Sequence, residues 1–85
     1  MYKAEYDIMI TYNCKTPTVL SVYMLRDKEY ALMFFEFSFY AYGFPQIASY
    51  VYKGTRLPGE KDVYTYIGSD PNVYGHTLSQ YTRIK

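Results

Sequence analysis

The stretch Glu29-Tyr30-Ala31-Leu32-Met33-Phe34-Phe35-Glu36-Phe37-Ser38-Phe39-Tyr40-Ala41-Tyr42 decides the fold. Read with a period of two, Met33, Phe35, Phe37, Phe39 and Ala41 make one apolar face. Phe34, Glu36, Ser38, Tyr40 and Tyr42 make a mixed opposite face. The polar residues Glu36 and Ser38 fall on the same side, as a strand requires. A buried helix is the competing reading, with Asp27 placed as N-cap, Gly43 as the C′ residue and Pro45 just beyond. Its body is crowded with Phe and Tyr where strong helix formers belong. A long strand is the preferred reading.

Working outward, residues 18–26 are largely apolar on both alternating faces, with Thr18, Val19, Val22 and Tyr23 favouring extended chain, so they read as a central strand. Asp27-Lys28 forms a charged tip, flanked by Arg26 and Glu29 placed to pair across it. Gly43-Phe44-Pro45 reads as a turn, and residues 46–53 alternate again. Residues 54–62 form a polar loop, and Val63-Tyr64-Thr65-Tyr66-Ile67 carries the clearest strand signature in the chain. Gly68-Ser69-Asp70-Pro71-Asn72 is a turn cluster, followed by a partly exposed strand over residues 76–84. At the other end, Tyr6, Ile8, Ile10 and Tyr12 alternate with Glu5, Asp7, Met9 and Thr11, which reads as a half-buried strand over residues 4–12. The expected fold is all-β, a small antiparallel barrel or sandwich of about six strands. The alternative is α+β with one helix at about 28–42.

Composition bounds the function. The 85 residues fit a single domain, 1–85, with a formal net charge of +1 that gives no general pull towards nucleic acid or membrane. One cysteine, Cys14, rules out an internal disulfide. Residues 1–7 carry acids and no apolar run, so no signal peptide is expected, and the apolar stretch 30–44 is interrupted and too short for a membrane span. A reducing cytoplasm is the expected location. The 13 tyrosines stand out, because each buried hydroxyl needs a partner. Many of them are therefore expected at the edge of the core or on a recognition face.

No catalytic or metal motif emerges, and no cofactor is expected. Residues 54–61 superficially suggest a phosphate-binding loop, but the lysine is one position late and no helix pattern follows. His76 and Cys14 are single residues with nothing to place them together. The carboxylate pairs Glu5/Asp7 and Asp27/Glu29 sit at chain or hairpin ends, where charge is solvated. Glu36 reads as a charge that keeps an aromatic strand from pairing with copies of itself, or as a buried group partnered by Arg26 or a tyrosine hydroxyl.

The candidate binding residues are Tyr50, Tyr52, Tyr64 and Tyr66, rimmed by Lys53, Arg56 and Lys61. Tyrosine supplies large contact area with few rotors to freeze. The expected function is a small non-enzymatic protein-interaction module, an inhibitor or adaptor of which virus-encoded inhibitors are one example, that binds a larger protein, acidic at the contact. The alternative is binding of single-stranded nucleic acid or a nucleotide through stacked tyrosines and the basic loop. A homodimer formed through an exposed edge at 46–53 or 76–84 is also expected.

Overall fold

The protein is described here from a computed structural model, which places residues 1–55, 59 and 63–85. A helix, α1 (Lys3–Tyr12), precedes the strands β1 (Thr18–Arg26), β2 (Tyr30–Ala41), β3 (Phe44–Thr55), β4 (Val63–Gly68) and β5 (Thr82–Arg83). They form one antiparallel sheet of five strands in the order β4-β3-β2-β1-β5. The molecule is predominantly β with one helix.

Residues 30–41 are the strand that their period-two pattern demands, at the centre of the sheet. Met33, Phe35, Phe37, Phe39 and Ala41 are all buried on one face with Val22 of β1 and Tyr52 of β3. Helix α1 lies over that face, adding Ala4 and Ile8 to the same core. Tyr2 meets Phe35 edge-on at 5.0 Å, and Tyr12 meets Phe39 at 4.8 Å, so the two ends of the helix are pinned to the aromatic row.

The helix corrects the strand expected over residues 4–12. Alternation would put Tyr6, Ile8, Ile10 and Tyr12 on one side. Instead Ile8 is fully buried, whereas Ile10 is 79% and Tyr6 52% exposed. The stripe that counts is Ala4, Ile8 and Tyr12, spaced by four. Local chemistry supports it. The Glu5 carboxylate accepts the Tyr2 N–H at 2.9 Å, satisfying a donor at the helix start. Lys3 and Asp7 pair at 3.2 Å one turn apart, and Asn13 ends the helix in the left-handed conformation. A mainly β fold with one helix agrees with the α+β alternative, but the helix is Lys3–Tyr12 and not about 28–42, where Tyr30–Ala41 is strand.

Strands β2 and β3 pair without interruption from Tyr30↔Thr55 to Ala41↔Phe44. The turn between them is Tyr42-Gly43, both at positive φ, so it falls one residue earlier than expected and leaves Phe44 and Pro45 inside β3. Glycine is also needed at position 54, where a Cβ would stand 2.7 Å from the Tyr64 ring that crosses it. On β1, the register shifts between Val19 and Ser21, bulging Leu20 out of the ladder.

The second face of the sheet holds a smaller core of Leu25, Leu32, Phe34, Val51 and Tyr81, with Val73 and Ile67 against it. The chain after β4 crosses this face and is tied down by Tyr81, whose hydroxyl donates to the Pro71 carbonyl at 2.9 Å. Tyr30 Oη and His76 Nε2 lie 2.7 Å apart along the same segment. The distal half of the face, with Tyr40 and Ile47, stays exposed.

Two further expectations need correction. Residues 76–84 are not a full strand: a 3-10 turn, Leu78–Gln80, precedes the two-residue β5. The Gln80 side chain accepts the Thr77 N–H at 2.7 Å, a local bond that competes with sheet pairing. Nor does the sheet close into a barrel or double into a sandwich. β4 and β5 lie at opposite edges, and the two faces are covered by α1 and by the C-terminal segment instead. Of residues 46–53, Val51, Tyr52 and Lys53 are paired on both sides, whereas residues 46–50 pair with β2 alone and extend past the end of β4.

Removing Ile8 should leave a cavity between helix and sheet. Ile8→Ala should cost about 2–5 kcal/mol, whereas Ile10→Ala on the exposed side should stay within about 0.5 kcal/mol. Urea unfolding of the two variants checks this contrast.

Candidate functional site

The register puts Tyr50, Tyr52, Tyr64 and Tyr66 on the same face of the sheet, the face that carries α1. Tyr52 stands opposite Met33 and Tyr66, Tyr50 opposite Phe35, and Tyr64 opposite Gly54. Strand parity brings each pair together, and hairpin pairing brings the two pairs side by side. Their surroundings differ. Tyr52 is 1% exposed and belongs to the core, a correction to its expected place on an open patch. Tyr50 and Tyr64 are half-buried, and Tyr66 is 49% exposed on the edge strand β4.

Between the helix and these strands lies a cleft of about 340 Å³, lined by Asp7, Ile10, Thr11, Tyr50, Tyr52 and Tyr66. The Tyr66 ring packs against Tyr50 at 5.2 Å and against Tyr52 at 5.7 Å, with ring planes inclined by 50° and 64°. The Tyr52 hydroxyl donates to Oδ2 of Asp7. The same oxygen takes the Lys3 ammonium at 3.2 Å, and that ammonium also lies 5.5 Å from the centre of the Tyr52 ring. The cleft thus has tyrosines of the sheet on one side and Asp7, Ile10 and Thr11 of the helix on the other, with the buried Tyr52 bonded to the Asp7 carboxylate.

Burial sets the electrostatics of the hydroxyls. Tyr50 is pushed up to about 12, first by burial and then by the nearby Tyr12 hydroxyl. Tyr52 is raised further, by burial and by its bond to the charged Asp7. Both stay protonated at neutral pH and act as neutral donors.

Of the expected basic rim, Lys53 does not join the tyrosine face. Lys53 follows Tyr52 on a strand and therefore points to the other face, where its ammonium lies 4.6 Å from the Tyr74 ring and 5.4 Å from Tyr30. Arg56 and Lys61 lie outside the described residues. The residues that the sequence reading missed are Asp7, Ile10 and Thr11, because they reach the cleft only once residues 3–12 are a helix.

The remaining candidates sort out simply. Glu36 is bonded by the Ser21 hydroxyl at 2.5 Å, rather than by Arg26 or a tyrosine. Cys14 and His76 stand apart, the thiol facing the Ile8 carbonyl at 3.9 Å and the imidazole facing Tyr30. Arg26 and Glu29 form no ion pair with each other. Among the described residues no three His, Cys, Asp or Glu side chains gather to hold a metal ion, and no helix is long and apolar enough to cross a membrane. Comparison with protein-family models, with curated proteins and with solved structures finds no match.

Alkaline pH should expose the buried hydroxyls. Below about pH 10 the folded and unfolded chains are equally protonated at these tyrosines. Between pH 10 and about 12 the unfolded chain ionises while folded Tyr50 and Tyr52 do not, so stability falls as pH rises. Tyr52→Phe should lower stability at neutral pH by about 1–3 kcal/mol and make the alkaline loss shallower. Urea midpoints between pH 8 and 12 test both effects.

Proposed function

We propose that this chain is a non-enzymatic protein-interaction module that docks a larger protein at the cleft between α1 and β4, as an inhibitor or adaptor does. The observation that carries the reading is the convergence of half-open tyrosine rings and the exposed Ile10 side chain beside the unpaired edge of β4. Aromatic rings that already pack against one another are ordered before a partner arrives, so little rotamer freedom is lost on binding. The buried Tyr52 and its carboxylate hold the floor of the cleft in place, leaving Tyr66 and Ile10 as the contact surface. Of the three cations from which an acidic partner is expected, Lys53 faces away from the cleft, and Arg56 and Lys61 lie outside the described residues. Within the cleft the Asp7 carboxylate is already paired with the Lys3 ammonium, so the contact rests on the tyrosine rings and Ile10 rather than on a free charge.

Expression in the native host, with capture and mass spectrometry, supplies partner candidates, each then titrated against purified variants. For the true partner, Tyr66→Ala should weaken binding by about 1–2 kcal/mol or more with the melting temperature close to wild type. Tyr52→Ala should act through the fold, at about 3–5 kcal/mol of stability. A partner whose affinity is indifferent to both Tyr66→Ala and Ile10→Ala would place the interaction elsewhere.

A further inference from the structure

Strand β4 forms one edge of the sheet, and among the described residues no strand pairs with its outer side. Proteins blunt such edges with lysine, proline or brevity. The opposite edge shows those devices: β5 is Thr82–Arg83 alone, and Arg83 and Lys85 bring charge to it. Residues 46–50 of β3 lie in the step behind the end of β4, with Pro45, which has no N–H, at the far side. β4 has neither safeguard. Val63-Tyr64-Thr65-Tyr66-Ile67 carries no charge and no proline, and each residue is β-branched or aromatic. Val63 is 68% and Tyr66 49% exposed, and Thr65 is exposed as well.

The segment also reads alike in both directions. From Thr65 it runs to a tyrosine and then to a β-branched aliphatic residue, whichever way it is followed. An antiparallel pair of identical strands centred on Thr65 therefore sets like against like: Thr65 against Thr65, Tyr64 against Tyr66, and Val63 against Ile67. Thr–Thr and aromatic pairs are among those that stabilise antiparallel neighbours, and with no charge on the strand there is no like-charge repulsion between copies. The backbone agrees with that register. The two-residue turn Tyr42-Gly43 makes its flanking pair, Ala41 and Phe44, a hydrogen-bonded one. Counting on in twos from Phe44, Gly54 bonds towards β2, so Lys53 and Thr55 bond towards β4. Their partners Thr65 and Val63 face β3; Tyr66 therefore directs its N–H and C=O outward, and Tyr64 shares that parity. Centred on Thr65, these groups meet in register, and the two Thr65 side chains fall at the non-hydrogen-bonded position, where neighbours approach most closely.

We infer that β4 pairs antiparallel with β4 of a second copy across a twofold axis at Thr65, joining the two sheets into one. Both α1 helices then lie on the same side of the joined sheet, and the clefts open in the same direction, with Tyr64 of one copy beside Tyr66 of the other. The interaction reading above does not depend on this pairing. One short strand a side is a small interface, so the dimer exchanges with monomer as concentration falls.

Sedimentation equilibrium of the whole protein from micromolar to near-millimolar concentration tests the pairing, and disulfide crosslinking reads its register. The weight-average mass should rise from 10.1 kDa towards twice that value. Thr65→Lys, which sets two ammonium groups face to face, should raise the dissociation constant tenfold or more with the melting temperature near wild type. In a Cys14→Ser background, Thr65→Cys should form a disulfide between copies under mild oxidation, because facing residues of such a pair stand about 4.5 Å apart at Cα. Val63→Cys in the same background should not, since it faces Ile67 of the other copy. The crosslinks decide the matter even where Thr65→Lys fails to fold. A mass that stays at 10.1 kDa at every concentration would overturn the inference. So would association indifferent to a folded Thr65→Lys, or a Val63→Cys chain that crosslinks as readily as Thr65→Cys.

Discussion

Phe35, Phe37 and Phe39 each gain about 1.5–3 kcal/mol from leaving water, and on their face of β2 the helix α1 is the element that adds Ala4 and Ile8 to their core. The rest of the architecture follows from that lid. The small Ala4 and the aliphatic Ile8 let the helix approach closely, and Tyr2 and Tyr12 grip the row at either end. With one face covered in this way, the sheet has no need to curl on itself to bury its aromatics. It can stay open, with β4 left as an edge. The same lid brings Asp7 to the Tyr52 hydroxyl and so creates the floor of the cleft.

The opposite face shows the complementary solution. Its proximal half, around Leu32 and Phe34, is covered by the chain that returns after β4 and is anchored by Tyr81. Glu36 sits beyond that cover with Ser21 across the strand pair, and there the face turns polar. A carboxylate at the centre of an aromatic strand would be costly under an apolar lid. Its position helps to explain why the cover stops where it does and why Tyr40 and Ile47 remain open.

Much of this was legible because strands report themselves by parity. The polar pair Glu36 and Ser38 oriented β2 correctly from sequence alone, and Val63 to Ile67 was unmistakable. The shared face of Tyr50 with Tyr52, and of Tyr64 with Tyr66, followed from the same rule. Whether that face was core or surface did not, because it depends on what covers it. Parity also argued against Lys53 as a rim to Tyr52, since neighbours on a strand point apart, and that constraint was there to be used. The helix was hidden for a different reason. Tyr6, Ile8, Ile10 and Tyr12 satisfy a period of two, while Ala4, Ile8 and Tyr12 satisfy a spacing of four. Ten residues cannot choose between them without the sheet they pack against. The site inherits that ambiguity, because Asp7, Ile10 and Thr11 line a cleft only on a helix. At the C-terminus, side-chain bonds such as that from Thr77 to Gln80 broke a strand that alternation alone suggested.

The account therefore turns on the conformation and placement of residues 3–12. Multidimensional NMR of the labelled protein measures both at once, through backbone carbon shifts and through nuclear Overhauser contacts from the Ile8 methyl groups. The account predicts helical shifts from Lys3 to Tyr12, and contacts from Ile8 to the buried phenylalanine rings of β2. Extended shifts over those residues, or an Ile8 side chain without contact to any of those rings, would contradict it.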